Sequence, residues 1–426
     1  MAAARLRRGD LLPRMRRARP GAHSRSLAAV LGRCEAPGIN TLVEGEPPLL
    51  WQEARGSNVL DTDGNRYLDF TSGFGAAAIG HRHPRVVAAV RRQAGLLLHG
   101  LGDVHAHPLR AALAAALARR VPVDDAQVYF ATSGAEAVEI ALKTALLATR
   151  RPRIVAFAGG YHGLTGGALA VTARDEFRRP FAAHLHPHVT RLEYGCPPRE
   201  LDTALASGAH GAVLVEPILG REGVVPPPPG WLREVAALCR RHGTLFIVDE
   251  IFTGFGRSGG WFALDHDALR ADILCLGKAL GGGLPIAAAV GRRDLFAAWR
   301  TPGEALHTST FVAHPVACAA ALATLAVLAE ERLPQRAARL GRGVERALRR
   351  DVAGRAGVHA VRGRGLLWAI ELDSREAAHA VVARARGRGL LLLAGGPQGR
   401  VLQIAPPLSV GDSQLRVGLE ILVASL

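Results

Sequence analysis

The sequence predicts an α/β protein with a doubly covered, mostly parallel central sheet and a smaller α/β domain built from both chain ends. Short, continuous apolar runs at 128–130, 154–157, 212–215, 245–248 and 273–276 alternate with helical stretches. Such runs mark strands buried on both faces of a sheet. Ser133, Tyr161, Glu216, Asp249 and Lys278 stand just past those runs. Ligands of parallel sheets bind beyond the carboxyl ends of the strands, so these scattered residues are expected to converge on one cleft. After Pro315 the composition changes to Ala/Leu/Arg-rich helices followed by strand patterns at 366–372 and 401–404.

Composition bounds the function. At 426 residues, 49% hydrophobic and 21% charged, the chain supports a large core. A net charge of +16 would suit nucleic acid or a membrane surface. The arginines are scattered, however, and aromatics make up 5%, so no basic stripe with interleaved rings appears and nucleic-acid binding is not expected. The apolar run at 316–329 is too short to span a bilayer. Five cysteines without a Cys-x-x-Cys pair argue against a disulfide framework or a zinc site and for a reducing, cytoplasmic setting.

Residues 1–33 are rich in arginine with one acid, Asp10, and are expected to form a disordered tail. Residues 34–74 with 311–426 are assigned to the small domain, and 75–310 to the large one. From Val59 the text reads as a hairpin turning at Asp63-Gly64-Asn65. A glycine-spaced loop through Gly73 and Gly75 and a helix after Pro84 follow. Ser133 and Glu136 read as a capping box, opening a helix through Leu147 with Glu139 and Lys143 as an i,i+4 pair. A helix from Trp231 to His242 closes at Gly243.

The chemistry starts from lysine. Lys and Arg total 53, yet lysine occurs only at 143 and 278. Guanidinium cannot act as a neutral nucleophile, whereas a desolvated amine can, so Lys278, set between an apolar run and three glycines, reads as a Schiff-base lysine. Asp249 ends an apolar strand, where an unpaired carboxylate is costly, and therefore asks for a cationic partner. The helix start at Ser133, Gly134 and Ala135 would suit a phosphate. A lysine, an anion for a protonated ring nitrogen and a phosphate site together ask for pyridoxal 5'-phosphate.

From about Leu42 onward the chain resembles the class III (omega-type) pyridoxal-phosphate aminotransferases, which include the acetylornithine, ornithine and gamma-aminobutyrate enzymes. The resemblance rests on Thr132-Ser133-Gly134-Ala135-Glu136-Ala137, Gly160-Tyr161-His162-Gly163, Val215-Glu216-Pro217-Ile218, the stretch from Asp249 to Gly259, Gly277-Lys278-Ala279-Leu280-Gly281-Gly282-Gly283, and Thr308-Ser309-Thr310-Phe311 with His314-Pro315. It implies a type I fold and a homodimer with shared active sites. It implies too that Lys278 carries the cofactor and shuttles the proton, and that Asp249 keeps the pyridine nitrogen protonated. Ser133, Gly134 and Ala135 would hold the phosphate with Thr310 of the other subunit. Tyr161 and Ile251 would cover the two ring faces, with His162 and Glu216 nearby and Phe74 and Gln403 toward substrate.

Three positions depart from the pattern. Leu164 follows His162-Gly163 where relatives carry Arg, Gln403 stands at the usual carboxylate-binding Arg, and Phe252 replaces a common Gln. An amide cannot supply bidentate carboxylate recognition, which puts use of 2-oxoglutarate and glutamate in question. His184, His186 and His188, like His99, His105 and His107, read as loop residues rather than metal ligands. An aminomutase, decarboxylase or racemase would share the same lysine, aspartate and phosphate site and is the alternative activity.

Overall fold

A computed structural model describes residues 6–16, 21–39 and 48–426. Parts of the expected tail and small domain, residues 1–5, 17–20 and 40–47, lie outside them. The central sheet has seven strands, in spatial order Ala126–Ala131, Ala287–Arg292, Ile273–Leu276, Leu245–Asp249, His210–Val215, Arg153–Phe157 and Val189–Leu192. Ala287–Arg292 is antiparallel to both neighbours, and every other adjacent pair is parallel. This strand carries no sequence signal of its own. Three alanines and a glycine in six residues give neither alternation nor a β-branched run, so its neighbours fix it.

Helices cover both faces. Gly134–Thr149 buries Ala137, Val138, Ile140, Ala141 and Ala145 against Leu214, Ile247 and Cys275. Trp231–Arg241 buries Trp231, Leu232, Val235 and Leu238 in the larger core on the other side. Burying each Leu, Ile or Val contributes roughly 1.5–3 kcal/mol.

Two four-stranded sheets flank this body. One combines Trp51–Arg55, Asn58–Asp61 and Arg66–Asp69 with Leu390–Leu391, so the two ends of the chain share a sheet. The hairpin turn is closed by Asp61, whose Oδ1 accepts the amides of Asp63 (3.0 Å) and Asn65 (2.7 Å), with Gly64 at φ 85°. The other sheet contains Val358–Arg364, Leu367–Leu372, Val401–Ile404 and Leu393–Gly395. Helix Pro315–Glu330 lies against Pro84–Ala94 and Pro108–Ala118.

The fully buried Arg257 joins the flanking segments to the central body. Its guanidinium donates to the carbonyls of Leu366 (3.0 Å) and Pro406 (2.6 Å) and to Ser72 Oγ (3.3 Å).

The described part of 1–33 differs from the expected disorder. Arg14 and Arg66 exchange backbone hydrogen bonds at 2.8 and 2.9 Å, and Ala22–Cys34 is helical. The Asp63 carboxylate accepts the amides of Gly21 (3.1 Å), His23 (3.2 Å) and Ser24 (3.3 Å), fixing the start of that helix. Composition alone does not show this anchor because it comes from the hairpin turn.

Candidate active site

Strand ends bring the cleft together. Asp249 closes strand Leu245–Asp249, and its side chain is buried. Its Oδ2 meets His162 Nδ1 at 2.8 Å, while Oδ1 accepts the Ile251 amide at 3.0 Å. His162 is itself buried, its amide donating to Thr172 Oγ1 at 2.9 Å. The neighbouring Glu250 points elsewhere. It accepts from Ala263 N (2.8 Å), Leu264 N (2.9 Å) and Thr253 Oγ1 (2.8 Å), pinning the turn that follows.

Lys278 follows strand Ile273–Leu276 and is held at φ 41°, a left-handed backbone that costs a non-glycine residue about 1–3 kcal/mol. Its side chain is half-buried. Among the described residues its amine forms no hydrogen bond or ion pair, and Nζ sits 4.4 Å from the centre of the Phe252 ring. Burial pushes the amine below the usual lysine value. The charges of Asp249 and Glu216 oppose that shift, and Arg221 adds to it. Such an amine gives up its proton more readily than an exposed lysine.

The helix that follows Thr132 begins at an exposed residue, Ser133. Ser133 caps Gly134–Thr149, accepting from the Glu136 amide at 3.2 Å. Glu136 returns its carboxylate to the Thr132 amide (2.7 Å) rather than to Ser133, which leaves the Ser133 end open. A Cβ on Gly134 would come within 2.9 Å of Ile251, and one on Gly163 within 2.5 Å of Ala135. Ile251 is also 3.4 Å from a Cβ placed on Gly277. The Ser133–Ala135 turn, Ile251 and the Gly277-Lys278 turn are therefore immediate neighbours.

Glu216 adds a wall at the floor of the cleft, beside Tyr161. Its carboxylate accepts the amides of Tyr161 (2.9 Å) and Gly220 (3.0 Å), and burial pushes it above the ordinary carboxylate range. Gln403 Nε2 donates to the Gly220 carbonyl at 3.4 Å. Thus Gln403 reaches the wall by way of Gly220. Phe74 is exposed and lines a separate cavity of about 340 Å³ with Trp51, Thr71, Leu391 and Leu392. It adjoins the cleft through Gly75, where a Cβ would meet Phe252 at 2.8 Å and Lys278 Cδ at 3.7 Å. Thr310 is exposed.

One expected pair does not form. Glu139 accepts from Thr165 Oγ1 (3.0 Å), Gly167 N (2.7 Å) and Ala168 N (3.1 Å), and Lys143 Nζ meets His307 Nδ1 at 3.0 Å. Three donors at a neighbouring helix start outcompete one exposed ammonium. Sequence reasoning also passed over Arg221, although it follows the Glu216 motif within the same loop.

Comparisons agree with this geometry. The class III aminotransferase family profile matches residues 42–426. An acetylornithine aminotransferase of Methanopyrus kandleri is 39% identical over 91% of this chain and 94% of its own length. One from Mycobacterium tuberculosis is 41% identical over 87% and 90%. Among solved structures, an ornithine aminotransferase from Toxoplasma gondii superposes with a TM-score of 0.87 at 33% identity, covering 94% of each chain. Family, fold and the lysine–aspartate cleft concur: the chain belongs to the class III aminotransferases, enzymes of type I fold that depend on pyridoxal phosphate.

Proposed function

We propose that Lys278 is the amine that engages the cofactor's aldehyde and that the enzyme moves an amino group from an amine or amino acid to a keto acid. The unpartnered, burial-depressed amine of Lys278 in the same cleft as Asp249 carries this reading. When bound, pyridoxal phosphate supplies an aldehyde carbon and a ring able to accept the electron pair of a cleaved C–H bond. Asp249, fixed by His162 and the Ile251 amide, is the anion that would hold a proton on the ring nitrogen. Ser133, Gly134 and Ala135 would bind the phosphate, with Ile251 and Tyr161 confining the ring. Lys278 Nζ, when not bonded to the cofactor, would be the base that takes and returns the proton. Glu216 positions Tyr161 through its backbone amide.

A homodimer completes the site in this proposal. Leu96, Leu98, Leu101, Val104 and Phe311 are exposed, with His99 5.2 Å from the Phe311 ring, and the exposed Thr310 lies beside them. A partner covering that apolar patch would bring its own Thr310 toward the phosphate end. The division into 34–74 with 311–426 and 75–310 is proposed on the membership of the three sheets. A cytoplasmic setting is proposed on the free cysteines; among the described residues no helix is long and apolar enough to cross a membrane.

The test is a half-reaction. Purified protein given an amino donor alone should convert its cofactor to the amine form and release one equivalent of carbonyl product. Release of carbon dioxide or an isomerised amine would instead favour the decarboxylase or mutase.

A further inference from the structure

We infer that Arg221 is the carboxylate anchor of this active site, selecting donors and keto acids that carry a carboxylate. The inference rests on the transaminase reading above and names the substrate class for it.

The guanidinium of Arg221 lies 4.8 Å from the centre of the Tyr161 ring and 5.2 Å from that of Phe177. Those two rings meet edge to face, at 6.1 Å and 70°, and so hold the cation against the same tyrosine that bounds the proposed cofactor ring. The side chain is exposed, and among the described residues its guanidinium has no carboxylate partner. The nearby acids are committed. Glu222 is paired with Arg174 at 3.0 Å, and Glu216 accepts the Tyr161 and Gly220 amides.

The backbone beneath Arg221 is fixed. Its carbonyl accepts from Arg174 Nη2 (3.0 Å) and from the Gly396 amide (3.2 Å). The preceding Gly220 is wedged against Phe252, which a Cβ there would meet at 2.5 Å. The field of Arg221 reaches the reacting amine, since it is among the charges that lower Lys278.

Among the described residues, three neighbouring candidates are less suited. Leu164 is apolar, Gln403 spends its amide on Gly220, and Arg174 is neutralised by Glu222. A planar, permanently charged fork supported on aromatic rings is suited to a carboxylate.

The experiment compares ω-amino acids of increasing chain length with n-alkylamines of matched length, in wild type, Arg221→Gln and Arg221→Lys holoenzymes. Arg221→Gln should lower the ratio of kcat/KM for amino acid over alkylamine by at least ~10-fold, the scale of one charge-assisted hydrogen bond, mainly through KM. Arg221→Lys should restore part of that ratio. Calorimetric titration of the holoenzyme with glutarate should show the same weakening without turnover, and the melting temperature should stay close to wild type. A ratio and a glutarate affinity that do not move in Arg221→Gln would overturn the anchor while leaving the transaminase intact. Wild type that transfers no amino group from either series would overturn the transaminase reading and the anchor with it.

Discussion

At the floor of the cleft, Asp249, His162 and Glu216 are buried and joined to partners at 2.8 to 3.0 Å. At the rim Arg221 and Leu164 are exposed, and among the described residues the Arg221 guanidinium rests on the Tyr161 and Phe177 rings with no carboxylate partner. The matching motif residues Asp249, His162 and Glu216 lie on the floor, whereas of the three departures Leu164 is exposed, Gln403 is half-buried and Phe252 packs beside Lys278. Buried polar groups are expensive to leave unpaired, so the floor tolerates few solutions. An exposed rim residue can change without that penalty, which leaves it free to set the substrate.

The largest expected break in this contrast is Lys278→Ala. Loss of the amine should cost turnover at least on the order of 10³-fold with the fold retained by circular dichroism. Retained activity would end the floor's assignment. Asp249→Asn comes next. It should leave cofactor bound yet slow the proton-abstraction step by roughly 10²-fold or more, read as a deuterium isotope effect on the half-reaction. Unchanged kinetics would show that the carboxylate only holds His162.

How much of this was legible in the sequence follows the same divide. Lys278 stands out as a candidate because arginine fills nearly every other basic position, and Asp249 because a carboxylate closing an apolar strand demands a partner. The Ser133–Ala135 helix start is a local signal and was visible too. Glu139 was misjudged because its partners, Thr165, Gly167 and Ala168, sit at another helix start, beyond any i,i+4 rule. Arg221 was missed because its meaning comes from Tyr161 and Phe177, which only tertiary structure brings to it. Ala287–Arg292 was invisible because small residues in a buried strand carry no periodicity.

Asp249 and Glu250 allow a finer comparison, between a carboxylate facing the cleft and its chain neighbour facing the fold. Burial pushes Glu250 from 4.5 up to about 7, against the opposing pull of its hydrogen bonds from Ala263, Leu264 and Thr253. A carboxyl raised in the folded state contributes stability fully present below its ordinary value and lost as pH rises through about 7. The stability of wild type relative to Glu250→Gln should therefore fall by roughly 3 kcal/mol from about pH 4.5 to about pH 7, measured by urea denaturation. A difference that stays flat across that window would mean the three donors keep the carboxylate ionised throughout.

The smallest effect is expected where floor and rim meet, at Gln403. Its side-chain hydrogen bond to the Gly220 carbonyl, at 3.4 Å, is near the long limit for such a contact, and the residue is only half-buried. Gln403→Ala should lower unfolding stability by less than about 1 kcal/mol, the scale of one long neutral hydrogen bond. A loss well beyond that would place Gln403 among the tightly packed residues of the floor. Gly220 would then depend on it for its position, and the wedge against Phe252 would be held from the Gln403 side rather than by Glu216 alone.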